Sequence, residues 1–294
     1  MNKRLHVYMI TVSFQMLLSM LFPASLNATE CLTCHTASAN EPIHAVLNSA
    51  HRQHQPHTPS ATCHSCHGDS QAHARNPMKT PDVSFGPTWP ASLATQSDRC
   101  QSCHADDHLF WEDSAHQSEG LHCTQCHTSH TQQDPVLSPK GQTVLCSRCH
   151  TDVKAAINTP YRHPLHEGKM SCDTCHNVHG SLTEASLNKP SLNETCLACH
   201  SEKRGPFLFE HAPVSEDCAL CHRPHGSIND GMLNVRGPFL CQQCHSSAFH
   251  PSQLNDGSGV ATGRANINLL GKNCLNCHSQ IHGTNHPSGA RLTR

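Results

Sequence analysis

Aromatic side chains are scarce in this sequence: 2 tryptophans, 2 tyrosines and 8 phenylalanines, 4% of 294 residues. Hydrophobic residues reach 36% only because all 20 cysteines are counted among them. Such a chain cannot offset the entropy of ordering its backbone by burying side chains alone, which excludes an ordinary side-chain core. Beyond the first thirty residues no apolar run is long enough to cross a bilayer as a helix. No stretch alternates β-branched with polar residues, so an extensive sheet is excluded as well. The 19 prolines and 16 glycines cut the remaining elements short. With a formal charge of −2 the chain also lacks the basic excess that nucleic-acid binding requires.

What the sequence has instead is one phrase, Cys-x-x-Cys-His, written ten times. Its thiols are Cys31 and Cys34, Cys63 and Cys66, Cys100 and Cys103, Cys123 and Cys126, Cys146 and Cys149, Cys172 and Cys175, Cys196 and Cys199, Cys218 and Cys221, Cys241 and Cys244, and Cys274 and Cys277. The histidines that close the motifs are His35, His67, His104, His127, His150, His176, His200, His222, His245 and His278. Two thiols three positions apart can add to the two vinyl groups of one porphyrin, while the adjoining imidazole reaches the iron from the same side. Zinc gives no reason for a histidine after every second cysteine. No thiol is left over, so disulfides and thioredoxin-like chemistry are set aside, and the expectation is ten covalently attached c-type haems. The porphyrins then stand in for the missing core, and folding is coupled to haem attachment as it is to metal in small metallodomains. Haem propionates make the finished surface more acidic than the formal charge.

Residues 1–28 read as a signal peptide: Lys3 and Arg4, an apolar stretch from Tyr8 to Phe22, and a small-residue exit with cleavage expected after Ala28. The competing reading is an uncleaved membrane anchor. Export delivers the chain to the compartment where c-type haem is attached in bacteria. The motifs then begin at intervals of 32, 37, 23, 23, 26, 24, 22, 23 and 33 residues. The repeating unit is a pair of motifs: His179-Gly180-Ser181-Leu182 leads through Leu187-Asn188 to Cys196, and His225-Gly226-Ser227-Ile228 leads through Leu233-Asn234 to Cys241. Arg204-Gly205-Pro206-Phe207-Leu208 likewise returns as Arg236-Gly237-Pro238-Phe239-Leu240. The expected fold is a multihaem cytochrome c, mostly irregular coil with short helices wrapped around an extended, staggered chain of ten haems and no extensive sheet. Short helices are expected at Pro42 to Ala50 and Asp152 to Ile157, and loops at Ser60, Pro77 to Pro90 and Gly257 to Gly263. A boundary near Asn158 and Pro160 divides the motifs five and five, into an N-terminal pentahaem half, 29–158, and a C-terminal one, 159–294.

Each iron has a sixth position, and its occupant decides between electron transfer and catalysis. The chain has 29 histidines, of which ten close motifs. The first motif of each pair is followed by a histidine in the intervening segment: His51, His116, His166, His211 and His250. The second is followed almost at once by another: His73, His130, His179, His225 and His282. These ten are the expected distal ligands. At the irregular positions His44, His54, His57 or His163 could replace a neighbour, and His286 is the reserve for His282. His6, His64, His108 and His122 are expected to be non-ligands. A histidine three residues past a motif lies near the proximal side of its own haem, so it should reach across to another one.

Two imidazoles on every iron leave no open position for a substrate, so the expected role is electron relay without a catalytic site, at negative potentials. A multihaem reductase would need an iron with a free position, and a free electron shuttle or reservoir is the further alternative. The sequence also resembles the periplasmic decahaem cytochromes of porin–cytochrome electron conduits, the MtrA, DmsE and PioA family. The resemblance runs from Cys31 to Arg294. It is densest in Met170-Ser171-Cys172 through His179-Gly180-Ser181, in Gly205 to Val214, and in the ending Cys274 to Gly289. It implies a location in the periplasm at the outer membrane, inside a β-barrel porin. It also implies an extracellular multihaem cytochrome, terminal reductase or mineral on one side and periplasmic or quinol-linked cytochromes on the other. Because a polar rod cannot sit naked in lipid, the barrel is a physical requirement of that arrangement.

Overall fold

The computed structural model describes residues 28–35, 42–53, 59–86, 88–245 and 273–293. Residues 1–27, His54, His57, His250 and the loop expected at Gly257 to Gly263 lie outside the described residues. Among the described residues there are short helices and turns and four isolated antiparallel bridges, with no named strand. Leu93–His104, at 12 residues, is the longest described helix. Val83, Trp111 and Ile157 are the described apolar side chains that are buried. The architecture is a multihaem cytochrome c fold of short helical elements in irregular coil.

The described residues fall into two compact units. One contains the chain up to Asp107 together with His122–Asp134, and the other contains His108–Leu121 and everything from Pro135. Grouped by packing, the motifs starting at Cys31, Cys63, Cys100 and Cys123 belong to the first unit and the remaining six to the second.

Every described motif closes one helical turn. The backbone N–H of the final histidine donates to the carbonyl of the first cysteine, as in His35 to Cys31 (2.9 Å), His150 to Cys146 (3.0 Å), His176 to Cys172 (3.0 Å) and His278 to Cys274 (2.9 Å). A single turn puts positions i, i+3 and i+4 on one side, which gathers both thiols and the imidazole at one edge. The paired repeat of the sequence has a local cause. At Cys100, Cys146 and Cys196 the motif comes at the end of a serine-capped helix: Ser92, Ser138 and Ser191 accept from the N–H groups of Thr95, Gly141 and Glu194, each at 3.1 Å. At Cys172, Cys218 and Cys274 it starts a 3₁₀ turn out of extended backbone. From Cys100 onward the chain therefore enters alternate motifs from a helix and from a strand-like segment.

The helix expected near Asp152 forms as Thr151–Ala156, and the one expected at Pro42 is a 3₁₀ turn, Pro42–Asn48, followed by Ala50–Gln53. Ser60 corrects the expectation of a loop, since it lies inside the helix Pro59–His67. Proline at the first helical position forfeits an N–H that would have no partner there anyway, so Pro59 starts this helix. The described part of Pro77 to Pro90 is non-helical. Gln96, 1% exposed, holds it in place by accepting from Gly86 N–H (2.9 Å) and donating to the carbonyls of Ala91 (3.0 Å) and Gly86 (3.3 Å).

Two loops in the second unit superpose residue for residue. Asn177 N–H donates to Ser186 and Asn188 N–H to Cys175, at 2.7 and 2.9 Å, and Arg223 does so to Met232 and Asn234 to Cys221, both at 2.8 Å. Each loop passes through left-handed backbone, at Ala185 and Ser186 (φ 52°) and at Gly231 (φ 64°) and Met232 (φ 56°). The effect is to turn the carbonyls of Ala185 and Gly231 onto the motif histidines.

Candidate haem sites

Eight of the motif histidines stand opposite a histidine from elsewhere in the chain. In the first unit His35 stands opposite His73, His67 opposite His130 and His104 opposite His51, with ring centroids 6.0, 6.0 and 6.2 Å apart. In the second, His150 faces His116 (6.0 Å), His176 faces His225 (6.0 Å), His200 faces His163 (6.4 Å), His222 faces His282 (6.0 Å) and His245 faces His211 (6.2 Å). A metal held between two imidazoles needs bonds of about 2 Å on each side, and roughly 1 Å more from each nitrogen to its ring centre, about 6 Å in all. That spacing fits a six-coordinate haem iron and is too wide for direct ring stacking.

The pairing follows a rule of chain order. A histidine just past a second motif, such as His130, His225 or His282, faces the motif histidine two motifs earlier. A histidine between two motifs, such as His51, His116, His163 or His211, faces one two motifs later than the motif it follows. His73, which faces the first motif, reaches back only one.

Hydrogen bonds at Nδ1 leave Nε2 for a metal. The Nδ1 of His67, His176, His222 and His278 lies 2.8, 2.8, 2.8 and 2.7 Å from the carbonyl oxygens of Val83, Ala185, Gly231 and Arg291. An N–H donated to a carbonyl fixes the tautomer and the ring plane. On the distal side His73 Nδ1 lies 2.6 Å from Lys79 O, His116 Nδ1 3.0 Å from Val178 O and His163 Nδ1 2.9 Å from Pro224 O. Val178 and Pro224 immediately precede His179 and His225. His211 Nδ1 takes the corresponding place beside the carbonyl of Ile281, before His282, at a looser geometry that falls short of a hydrogen bond. Burial lowers the pKa of His130, His211 and His282, which favours the neutral imidazole that carries a free electron pair.

The thiols form a second pattern. First cysteines of consecutive motifs lie beside one another: Cys31 with Cys63 and Cys100 with Cys123 in the first unit, Cys146 with Cys172, Cys196 with Cys218 and Cys241 with Cys274 in the second. Second cysteines meet across the intervening steps. After burial, the charges of Cys103, Cys199 and Cys244 push up the pKa of Cys66, Cys175 and Cys221 respectively. Within each unit the motifs are therefore linked in sequence order, alternately by their first and second sulfurs.

Residues 163–205 and 211–250 match the doubled CXXCH motif family, and residues 63–144 match the NrfB-like cytochrome c-type protein family. Over 276 residues, 91% of this chain and 81% of the relative, the sequence is 45% identical to multiheme cytochrome MtrA of Shewanella baltica. The chain belongs to the MtrA family of multihaem cytochromes. A shorter match, 35% over 71 residues, covers 22% of the chain and 37% of cytochrome c-type protein NrfB of Escherichia coli. Membership in the MtrA family makes the motifs covalent sites for c-type haem and the protein an electron carrier. No described helix is long and apolar enough to cross a membrane.

In this MtrA-family chain the structure departs from the sequence reading at two of the described distal positions, His166 and His179. It sets His163, and not His166, across from His200, while His166 Nε2 lies 3.1 Å from the carbonyl of Ile157. The reason is the bridge between Tyr161 and Ser227, which draws the chain two residues before His163 onto the segment carrying His225. His179 packs against His108 (centroids 3.8 Å apart) and Trp111 (6.2 Å). His64 and His122 make local contacts, with the Gly68 carbonyl at 3.1 Å and the Ser97 hydroxyl at 3.1 Å. The reserve His286 bonds to Ser288.

The repeated His-Gly-Ser/Thr phrase also finds its cause. Gly226 (φ +134°) and Gly283 (φ +116°) lie where the chain crosses an upstream segment, and each is followed by a bridging residue, Ser227 to Tyr161 and Thr284 to Phe209. A Cβ on Gly226 would come 2.4 Å from Ala156 O, so only glycine lets the two backbones approach. Asp134 and Asp107 are carboxylates beside motif histidines, 2.7 Å from His127 and 3.2 Å from His104, that the sequence reading did not single out. Their only signal is a carboxylate shortly after a motif histidine, which is common by chance.

Proposed function

We propose that this chain binds ten haems, one at each motif, with two histidines on every iron, and relays electrons through an outer-membrane porin. Its partners would be periplasmic or quinol-linked donors on one side and an extracellular cytochrome, reductase or mineral on the other. The observation that carries the reading is the set of eight facing histidine pairs at 6.0 to 6.4 Å, each with room for a metal between its two rings. Bound haem iron supplies one-electron chemistry between its ferric and ferrous states. The protein's part is to hold, order and insulate. Cysteine thiols anchor each porphyrin edge, and their alternating contacts support a succession of neighbouring haems in sequence order. At the eight paired sites the two imidazoles would keep water and small substrates off a metal bound between them, which argues against a reductase site there. Carbonyls at Nδ1 hold the rings in place, so that little rearrangement accompanies the change in charge.

Mass spectrometry of the exported holoprotein should give ten haem additions and no titratable thiol. Electron paramagnetic resonance should show low-spin ferric signals only, and a heat-modifiable barrel protein should co-purify. Ready binding of cyanide or nitrite by the native protein would overturn the relay in favour of an active site. A holoprotein that never associates with a barrel in its own host would be a free shuttle.

A further inference from the structure

Most motif histidines with a described Nδ1 partner lean on a neutral backbone carbonyl. His127 does not. Its Nδ1 lies 2.7 Å from Oδ2 of Asp134, and that carboxylate is only 13% exposed, with the imidazole at 37%. Two other motif histidines have a carboxylate nearby, and both arrangements are weaker. Asp107 lies 3.2 Å from His104 but is 69% exposed, and Glu202 is 3.8 Å from His200, beyond hydrogen-bonding distance, and 60% exposed. Solvent screens an exposed carboxylate of this kind, while a half-buried pair keeps its field.

The chemistry of such a pair is directional. A carboxylate that accepts the Nδ1 proton strongly makes the opposite nitrogen a better electron donor, and it adds a negative charge near the metal. Both effects stabilise the ferric over the ferrous iron. We propose that Asp134 is a potential-setting residue, which through His127 holds the haem at Cys123 and Cys126 more negative than haems whose motif histidine bonds a backbone carbonyl. One half-buried carboxylate thus sets one haem of the first unit apart from those whose motif histidine bonds a carbonyl. The proposal rests on the reading that His127 ligates an iron.

The test uses the complete holoprotein and three variants, Asp134→Asn, Asp134→Glu and Asp107→Asn, in redox titrations followed by visible absorbance at a fixed neutral pH. Asp134→Asn should keep every haem attached and low-spin. It should also move one haem's share of the absorbance change from the negative end of the titration to more positive potential. Asp134→Glu, which retains the charge, should move that component less, and Asp107→Asn should leave the curve nearly unchanged. A titration of Asp134→Asn that superimposes on the native one would overturn the proposal while leaving the relay intact. So would an equal shift in Asp134→Glu, or an iron that becomes high-spin, since Asp134 would then be a structural tether. If the native protein itself carries fewer than ten haems, or a high-spin iron at this site, it is the underlying reading that fails.

Discussion

Replacing Gly226 with alanine adds one methyl group, yet it should disturb two irons. The glycine adopts φ +134°, a conformation that L residues rarely take, and a Cβ there would lie 2.4 Å from Ala156 O and 2.7 Å from Thr159 Oγ1. The backbone conformation alone costs about 1–3 kcal/mol, and forcing a methyl group into a filled space costs about 1–3 kcal/mol more. Relief of roughly 2–6 kcal/mol is available if the segment lifts away from Tyr161. The segment carries His225, which faces His176, and the Pro224 carbonyl, which accepts from His163 opposite His200. A loss of about 3 kcal/mol shifts the ratio of held to displaced ligand by roughly a hundredfold. Electron paramagnetic resonance of Gly226→Ala should therefore show two irons with high-spin character and all haems still attached. Gly120→Ala is the control: its φ is +75° but no atom lies within 4 Å of the added methyl, so spin states should not change. A Gly226→Ala protein with only low-spin iron, or with one altered site, would refute the linkage between the two sites.

Three further outcomes follow from the same geometry. His211→Ala should leave every haem attached and convert the single iron opposite, at His245, to high spin, as read by magnetic resonance. His163→Ala should do the same for His200, whereas His166→Ala should leave the spin states unchanged, which separates two histidines of one short segment. Ser191→Ala removes the hydroxyl that accepts from Glu194 N–H and should lower the stability of the helix carrying Cys196 by about 1 kcal/mol, seen in chemical denaturation with the haem count intact.

The motifs were legible because the chemistry of thioether attachment is local: two thiols and an imidazole must share one turn, so the pattern is written in five consecutive residues. The short-helix fold was legible for a related reason, since a chain with so few large apolar side chains has little else to build. What could not be read was which histidine meets which. His163 and His166 differ by three residues, and the choice between them depends on Tyr161 bridging Ser227, some sixty residues away. The phrase His-Gly-Ser was visible as a repeat, but the close approach of Ala156 to Gly226 that requires the glycine is a tertiary fact. Pro59 and Ser60 misled because proline both starts and ends helices, and only the direction of the chain beyond it tells which.

The rule that pairs motif histidines with partners two motifs away bears on how the molecule is made. The histidine facing His176 is encoded beyond the motifs at Cys196 and Cys218, and the one facing His67 beyond those at Cys100 and Cys123. In the export proposed for this chain, from N-terminus to C-terminus, such a motif would precede the second imidazole of its site across the membrane. Others, like His200, find theirs already waiting. A chain ending after His200 would therefore keep the motif at Cys172 yet lack the histidine that faces His176.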